Sequence, residues 1–151
     1  MLAPLVLLAY EPVSMLDVSI RAEILNLLAE LRDRKGLTVL LITHDLSTAA
    51  SYADRIAVRY LGKFVELGPT REVLNSAKHP YTRALLSVIP VPNPRLRRKA
   101  TILEGEIPNP IDIPSGCRFH PRCPIVQPHC LELVPEWRRL GPDHFAACHE
   151  A

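Results

Sequence analysis

The sequence has no apolar run long enough to cross a membrane, little net charge, and no cysteine in its first 116 residues. A membrane span needs about 18 apolar residues, whereas the longest apolar stretch, Met1–Tyr10, contains Pro4 and is followed by Glu11. That stretch also lacks the basic start and small-residue cleavage site of an export signal. The 18 basic and 16 acidic residues nearly cancel, which gives no electrostatic reason to expect a nucleic-acid partner.

The prolines and cysteines are distributed unevenly along the chain. Hydrophobic residues make up 48% and charged residues 23%, as in ordinary globular proteins. Eleven of the 15 prolines lie at or after Pro90, and all four cysteines follow Gly116. The first 89 residues therefore read as a regular α/β segment and the rest as loop-rich. In the reducing cytosol that we expect, clustered cysteines are more often metal ligands than disulfides.

The first 89 residues carry alternating strand and helix signals. Leu5–Ala9 and Leu37–Ile42 are continuous apolar runs, which is typical of strands buried in a parallel sheet. Asp17 is a candidate N-cap, and Gly36 is a candidate helix stop. The apolar residues between them have helical spacing, at Ile20, Ile24, Leu27, Leu28 and Leu31. This order predicts a parallel sheet with right-handed crossovers.

Five further elements are predicted by turn and capping signals. The Leu61-Gly62 pair separates two strand-like runs and indicates a β-hairpin. Pro80 is well suited to the first turn of a helix. The predicted elements are a helix over 47–54, strands over 55–60 and 63–67, and helices over 70–75 and 80–88.

Four patterns occur in a fixed order in this region: a strand ending at Glu11-Pro12, then Ser14-Met15-Leu16-Asp17, a strand ending at Thr43-His44-Asp45, and a hairpin followed by Gly68-Pro69-Thr70. Together they resemble the second half of an ABC transporter ATPase domain, over roughly residues 1–75. The resemblance implies an α/β fold, the C-terminal half of a P-loop ABC ATPase domain, with a parallel sheet and helices. The carboxyl edge of such a sheet is where open α/β folds bind ligands.

The resemblance also implies roles for particular residues. Glu11 matches the glutamate that polarises the water attacking the γ-phosphate, and His44 matches the histidine that contacts that phosphate. Ser14 and Asp17 belong to the loop by which two such subunits touch across shared nucleotides. The implied cofactors are ATP and Mg²⁺.

The nucleotide-binding half of the family pattern is missing from the sequence. Neither Gly-x-x-x-x-Gly-Lys-Ser/Thr, which cradles phosphates, nor the Ser-Gly-Gly-Gln signature occurs. Tyr10 stands where the family has the aspartate that organises Mg²⁺, and a neutral phenol supplies no such charge. We therefore expect a C-terminal fragment of a longer protein, and we expect that this polypeptide alone does not hydrolyse ATP.

The second half carries further motifs: His79-Pro80-Tyr81-Thr82, Gly105-Glu106-Ile107-Pro108, and a run from Ser115 to Pro124 that contains Pro-Arg-Cys-Pro. This succession resembles the C-terminal extension of oligopeptide and dipeptide ABC importer ATPase subunits, over about residues 76–150. The resemblance implies import of peptides or related solutes. It also implies permease subunits and a second ATPase subunit as partners, a dimer, and a peripheral location on the cytoplasmic face of the membrane.

The four cysteines form a candidate metal site. They are separated by gaps of five, six and 17 residues, which match neither a zinc ribbon nor a bacterial ferredoxin run. Four thiolates are the ligand number of a [4Fe–4S] cluster, which some members of the importer family carry; zinc and free thiols are the alternatives. The cysteines are Cys117, Cys123, Cys130 and Cys148, and nearby histidines that could replace one are His120, His129, His144 and His149.

The predicted organisation has three parts. Residues 1–75 are the ATPase segment, 76–98 a linker and helix, and 99–151 a Pro/Cys-rich, mostly irregular extension. A metal would act as a structural staple there, because a proline-rich segment buries little apolar surface. Two other functions stay open: a non-catalytic regulatory remnant and a metal-binding interaction module.

Overall fold

The computed structural model describes residues 4–89, 101–106 and 108–151. The predicted linker lies outside the described residues from position 90 onward. The chain divides into two compact units, Met1–Ala53 and Asp54–Ala151. The three-part division made from the sequence follows family motifs rather than compactness, and it stays a prediction.

The first unit is a two-stranded parallel sheet with two helices. Its elements are β1 (Val6–Tyr10), α1 (Val18–Lys35), β2 (Thr38–Ile42) and α2 (Leu46–Tyr52). The register pairs Val6 with Thr38 and Tyr10 with Ile42, so both strands deliver their last residues to the same edge. The predicted strand–helix–strand–helix order is thus present.

Helix α1 begins and ends where the capping residues predicted. Asp17 occupies the N-cap, although its side chain makes no capping hydrogen bond, and Gly36 ends the helix in the left-handed conformation at φ 61°. The buried side of the helix differs from the expected stripe. Leu25 is its buried residue, whereas Ile20 and Leu27 are about half exposed.

The second unit is built on a four-stranded antiparallel sheet in the order β3-β4-β6-β5. The predicted hairpin is confirmed. Its turn has positive φ at both Leu61 (40°) and Gly62 (80°), as a tight hairpin between right-twisted strands requires. The elements are β3 (Arg55–Tyr60), β4 (Lys63–Pro69), α3 (Thr70–Ser76), α4 (Pro80–Ser87), β5 (Arg138–Gly141) and β6 (His144–Ala146).

The extension contains two short strands that the sequence analysis did not predict. Two strands, β5 and β6, join the hairpin sheet, with β6 antiparallel to β4 through the pairs Glu66–Ala146 and Leu67–Phe145. The sequence analysis did not predict these strands because they are four and three residues long and show no sustained alternation of apolar and polar residues. Two short 3₁₀ turns, His120–Arg122 and Pro128–Leu131, complete the described part of the extension.

An aromatic cluster forms the centre of the second unit. Phe119 is 1% exposed, and its ring lies 5.2 Å from Tyr60 and 5.4 Å from both Tyr81 and His79 between centroids. Burying one phenylalanine contributes about 1.5–3 kcal/mol. Next to it, the Arg118 guanidinium donates a hydrogen bond to the carbonyl of Leu61 in the hairpin turn. The extension is therefore integrated with the hairpin and α4.

Burial changes the ionisation of one member of this cluster. His79 is the N-cap of α4, and its ring Nδ1 accepts a hydrogen bond from the Tyr81 N–H at 3.1 Å. Burial lowers the pKa of His79 to about 4; Glu66 opposes the change and Arg83 adds to it. The imidazole is therefore neutral at pH 7, as the hydrogen bond to Nδ1 requires.

Candidate functional site

The structure brings Glu11 and His44 together. Glu11 directly follows β1, and its backbone N–H donates to the carbonyl of Ile42, the last residue of β2, at 2.8 Å. Its carboxylate atom Oε1 accepts from the His44 backbone N–H at 2.9 Å and from the ring Nδ1 at 2.8 Å. The pair therefore lies at the carboxyl edge of the parallel sheet, where open α/β folds bind ligands.

The backbone at Glu11 is unusual. Its φ is 44°, in the left-handed region that non-glycine residues seldom adopt. Such conformations concentrate at functional sites. The turn that follows is closed by Ser14, whose hydroxyl donates to the Glu11 carbonyl at 3.1 Å. Ser14 thus acts here on the backbone of the candidate catalytic residue.

Asp17, the other predicted dimer-contact residue, does not join the Glu11–His44 pair by any described hydrogen bond. It caps α1 through its backbone carbonyl, which accepts from the Arg21 N–H at 2.9 Å. The Asp17 and Ser14 side chains are exposed. The contact of these residues with a second subunit stays a prediction.

Tyr10 is 74% exposed, on the face of β1 that also carries Leu8. A neutral phenol at this position supplies no carboxylate ligand for Mg²⁺.

Sequence reasoning missed the contribution of Asp45. Its carboxylate caps α2 by accepting from the Ser47 N–H at 2.9 Å and the Thr48 hydroxyl at 2.7 Å. Burial works to raise the pKa of Asp45, but these hydrogen bonds outweigh burial and lower it. Arg21 of α1 approaches the same carboxylate at 3.8 Å. An aspartate two residues before a serine at a helix start was the available signal.

The four cysteines form no disulfide in the structure. Burial, the largest effect, raises the pKa of the Cys117, Cys123 and Cys148 thiols, and neighbouring cysteines add to that rise. The backbone at Gly116 lies close to the backbone at Cys130, and an added Cβ would come within 2.5 Å of the Cys130 carbonyl oxygen. The Cys117 N–H donates to that same carbonyl at 2.9 Å.

Nearby backbone groups act against burial at three of the thiols. The backbone of Phe119 and His120 lowers the pKa of the Cys117 thiol, which burial raises. The backbone of Ile125 has this effect at Cys123, and that of Glu150 has it at Cys148. These effects favour the thiolate, the form that ligates metals.

A close metal-binding group is nevertheless not formed. Within residues 4–89, 101–106 and 108–151, no three histidine, cysteine, aspartate or glutamate side chains are placed to hold a metal ion. The metal site on the four cysteines therefore stays a prediction.

The four histidines considered as substitute ligands have other partners. His120 donates to the Cys117 carbonyl at 3.0 Å, and His144 is buried against Glu66. The rings of His129 and His149 pack edge to face with their centroids 4.8 Å apart. His129 Nε2 also lies 3.3 Å from Glu150 Oε1.

Comparison with known proteins shows what the chain is similar to. Residues 65–130 match the family described as the C-terminal region of oligopeptide/dipeptide transporters. In the described part of the chain, no helix is both long and apolar enough to cross a bilayer.

Individual relatives match nearly the whole sequence. The oligopeptide transport ATP-binding protein AppF of Bacillus subtilis is 47% identical over 150 residues, which cover 98% of this chain and 46% of that protein. A putative peptide import ATP-binding protein of Brucella ovis is 48% identical over 147 residues, covering 97% and 46%. The chain thus spans about half the length of the curated relatives it matches, and its sequence is similar to those of ATP-binding proteins of peptide transport. The resemblance suspected from the motifs is confirmed.

Proposed function

We propose that this chain provides the glutamate–histidine part of an ATPase site that energises peptide import. The supporting observation is the Glu11 carboxylate, which accepts two hydrogen bonds from His44 at the carboxyl edge of β1 and β2. A carboxylate in this place can orient an attacking water, and a histidine beside it can contact a phosphate. ATP and Mg²⁺ are the corresponding cofactors.

Hydrolysis needs more than this pair. The phosphate-binding loop and the signature are absent from the sequence, and Tyr10 replaces the Mg²⁺-organising aspartate. We propose that the chain corresponds to the C-terminal part of a longer kind of subunit and is inactive by itself. Phosphate binding would have to come from polypeptide outside this sequence.

The test is ATP turnover by the purified 151-residue chain, with Glu11→Gln as the matched variant. We expect phosphate release equal to the buffer background for both proteins. Turnover that follows the chain through purification and disappears in Glu11→Gln would overturn the proposed inactivity. It would also show that the phosphates are held without the expected loop.

The partners follow from the same proposal. We infer that the whole subunit binds permease subunits at the cytoplasmic face of the membrane and pairs with a second ATPase subunit. The names of the relatives, which describe peptide import and ATP binding, support this assignment. The exposed Ser14 and Asp17 side chains are the surface predicted to meet the second subunit.

The four thiols support a second component, a metal centre. We propose that Cys117, Cys123, Cys130 and Cys148 hold a [4Fe–4S] cluster, with zinc as the alternative. Four thiolates are the complete ligand set of such a cluster. One zinc ion would require four ligands about 2.3 Å from a single centre, whereas a cluster spans more space and suits thiols that interact without forming a tight group. Its role would be to cross-link the extension.

Metal content and proteolysis test this component. The chain, prepared anaerobically with iron and sulfide, should show cluster absorption in the visible range that is lost in Cys117→Ser. Cys117→Ser should also expose the extension to protease while the Met1–Ala53 unit resists. Binding of zinc alone would select the alternative. Absence of both metals together with an unchanged digestion pattern would defeat the metal centre.

A further inference from the structure

Glu66 is a fully buried carboxylate with three hydrogen-bond partners. It is 0% exposed, at the centre of β4. Oε1 accepts from the Lys78 N–H at 2.8 Å and pairs with His144 Nε2 at 2.8 Å, while Oε2 accepts from the His79 N–H at 2.9 Å. One side chain therefore joins the hairpin, the start of α4 and strand β6.

The position of the His144 imidazole requires a glycine at residue 68. A Cβ added at Gly68 would lie 2.9 Å from His144 Cδ2 and 3.3 Å from Val73 Cγ2. Real Cβ atoms do not come that close to a ring carbon. Gly68 and Glu66 are two residues apart on the same strand, so their side-chain positions lie on the same face. We call Glu66, Gly68 and His144 the His144 latch.

The latch lies on the strands that lead to Cys148. Three of the thiols belong to a single segment, residues 117–130, which is held together by its own hydrogen bonds. Cys148 instead follows β6 by two residues, and the intervening Ala147 N–H donates to the Val65 carbonyl of β4 at 2.9 Å. The pairing of β6 with β4 is therefore one of the contacts that hold Cys148 near the other three thiols. The residues after Cys148 make two more, from His149 to the Leu133 carbonyl and from Glu150 to His129.

We propose that Glu66 and Gly68 are positioning residues for the thiol site, and that the His144 latch brings Cys148 into it. This inference rests on the proposed function of the four cysteines. It assigns a role to a buried ionisable pair that the ATPase chemistry does not use. A buried carboxylate left without one of its partners is strongly destabilised, so loss of either latch side chain should release the other.

The experiment measures alkylation of each cysteine in the reduced, metal-free 151-residue chain, using iodoacetamide and peptide mass spectrometry. Two variants open the latch from opposite sides: Glu66→Gln removes the charge, and Gly68→Ala adds the obstructing methyl group. Gly141→Ala is the matched control, because its Cβ would meet only His144 Cβ at an ordinary 3.6 Å.

We expect Cys148 to react about tenfold faster in both latch variants, as local opening exposes it. The rates at Cys117, Cys123 and Cys130 should change less than about twofold, since their segment stays intact. Gly141→Ala should leave all four rates unchanged. Circular dichroism of each variant checks that the helices persist.

Two outcomes would overturn the proposal. An equal rise at all four cysteines would show that Glu66 and Gly68 support the fold in general. Unchanged Cys148 reactivity would show that β6 is held without the latch.

A double variant adds a test that a merely structural role would not satisfy. If Glu66 and His144 act as one unit, Glu66→Gln combined with His144→Ala should expose Cys148 no more than either change alone. Additive effects would contradict the latch. Failure of the chain to bind iron or zinc would defeat the proposed metal centre but would leave the alkylation result unchanged, so the two proposals fail separately.

Discussion

The two units of the molecule bury their apolar residues to very different degrees. In Met1–Ala53, one face of the two-stranded sheet is exposed, and it carries Val6, Leu8, Tyr10, Leu40 and Ile42. In Asp54–Ala151, the sheet has four strands, an aromatic centre and a buried carboxylate with three hydrogen-bond partners. The first unit places the Glu11–His44 pair on a sheet with one exposed face, whereas the second has the more extensively buried core.

The largest expected loss of stability comes from a substitution at the centre of the second unit. Phe119→Ala should lower the free energy of unfolding of this unit by about 3–5 kcal/mol, because it leaves a cavity among Tyr60, Tyr81 and His79. Hydrogen exchange read separately for the two units measures it. Phe64→Ala is the control, since Phe64 is 60% exposed and should cost less than about 0.5 kcal/mol. Equal losses of unfolding free energy in the two variants would show that Phe119 does not stabilise the core.

Acid should weaken the second unit through His79. The ordinary histidine pKa is 6.5 and the folded value is about 4, so between these values the unfolded chain binds a proton that the folded chain does not. Stability is therefore complete above pH 6.5 and falls as the pH drops toward 4, by up to about 3 kcal/mol.

Denaturant unfolding at several pH values provides the measurement. His79→Asn keeps an acceptor at the N-cap but does not titrate, so its profile should be flatter through this window. A wild-type profile that matches the variant would show that another group governs the acid response.

Two glycines have the same backbone conformation but different surroundings. Comparing their alanine variants therefore distinguishes the cost of backbone strain from the cost of steric overlap. Gly36 and Gly116 both have φ 61°, but an added Cβ meets nothing within 4 Å at Gly36 and overlaps the Cys130 carbonyl at Gly116. Gly36→Ala should cost about 1 kcal/mol from the left-handed backbone alone. Gly116→Ala should cost roughly 1–3 kcal/mol more, from overpacking. Thermal unfolding of the two variants compares them, and equal losses would refute the close approach at Gly116.

The smallest expected effect on stability concerns the open sheet of the first unit. Leu8 and Leu40 are direct neighbours across β1 and β2, and both are more than half exposed. We expect this exposed apolar face to associate with other copies of the chain. Leu8→Lys with Leu40→Lys should reduce that association while changing the unfolding free energy by less than about 0.5 kcal/mol. Sedimentation velocity would detect this change. Undiminished association would place the contact between chains elsewhere.

Much of the first unit was predictable because its signals are local and ordered. The apolar runs gave β1 and β2, Gly36 gave the end of α1, and the parallel arrangement followed from the alternation of strands and helices. That arrangement in turn placed Glu11 and His44 at one edge. The exposure of Leu8 was not predictable, because an apolar run typical of a doubly buried strand does not say what covers it.

In the second unit, the hairpin, α3 and α4 were predictable. Glu66 lies in a strand where a charged residue would ordinarily face solvent, and its partner His144 is 78 residues away. A pairing over that distance leaves no local pattern in either segment. The four cysteines were identified by their number, but their relation to β6 depends on tertiary contacts.

The pairing of β6 with β4 has a consequence for the order of folding. Bringing segments about 78 residues apart together costs roughly 4 kcal/mol of chain entropy before any contact compensates for it. The hairpin and helices form from nearby residues and need no such closure. The β6 strand is therefore expected to be added last, and during synthesis Glu66 must wait without its histidine until the ribosome has released residue 144.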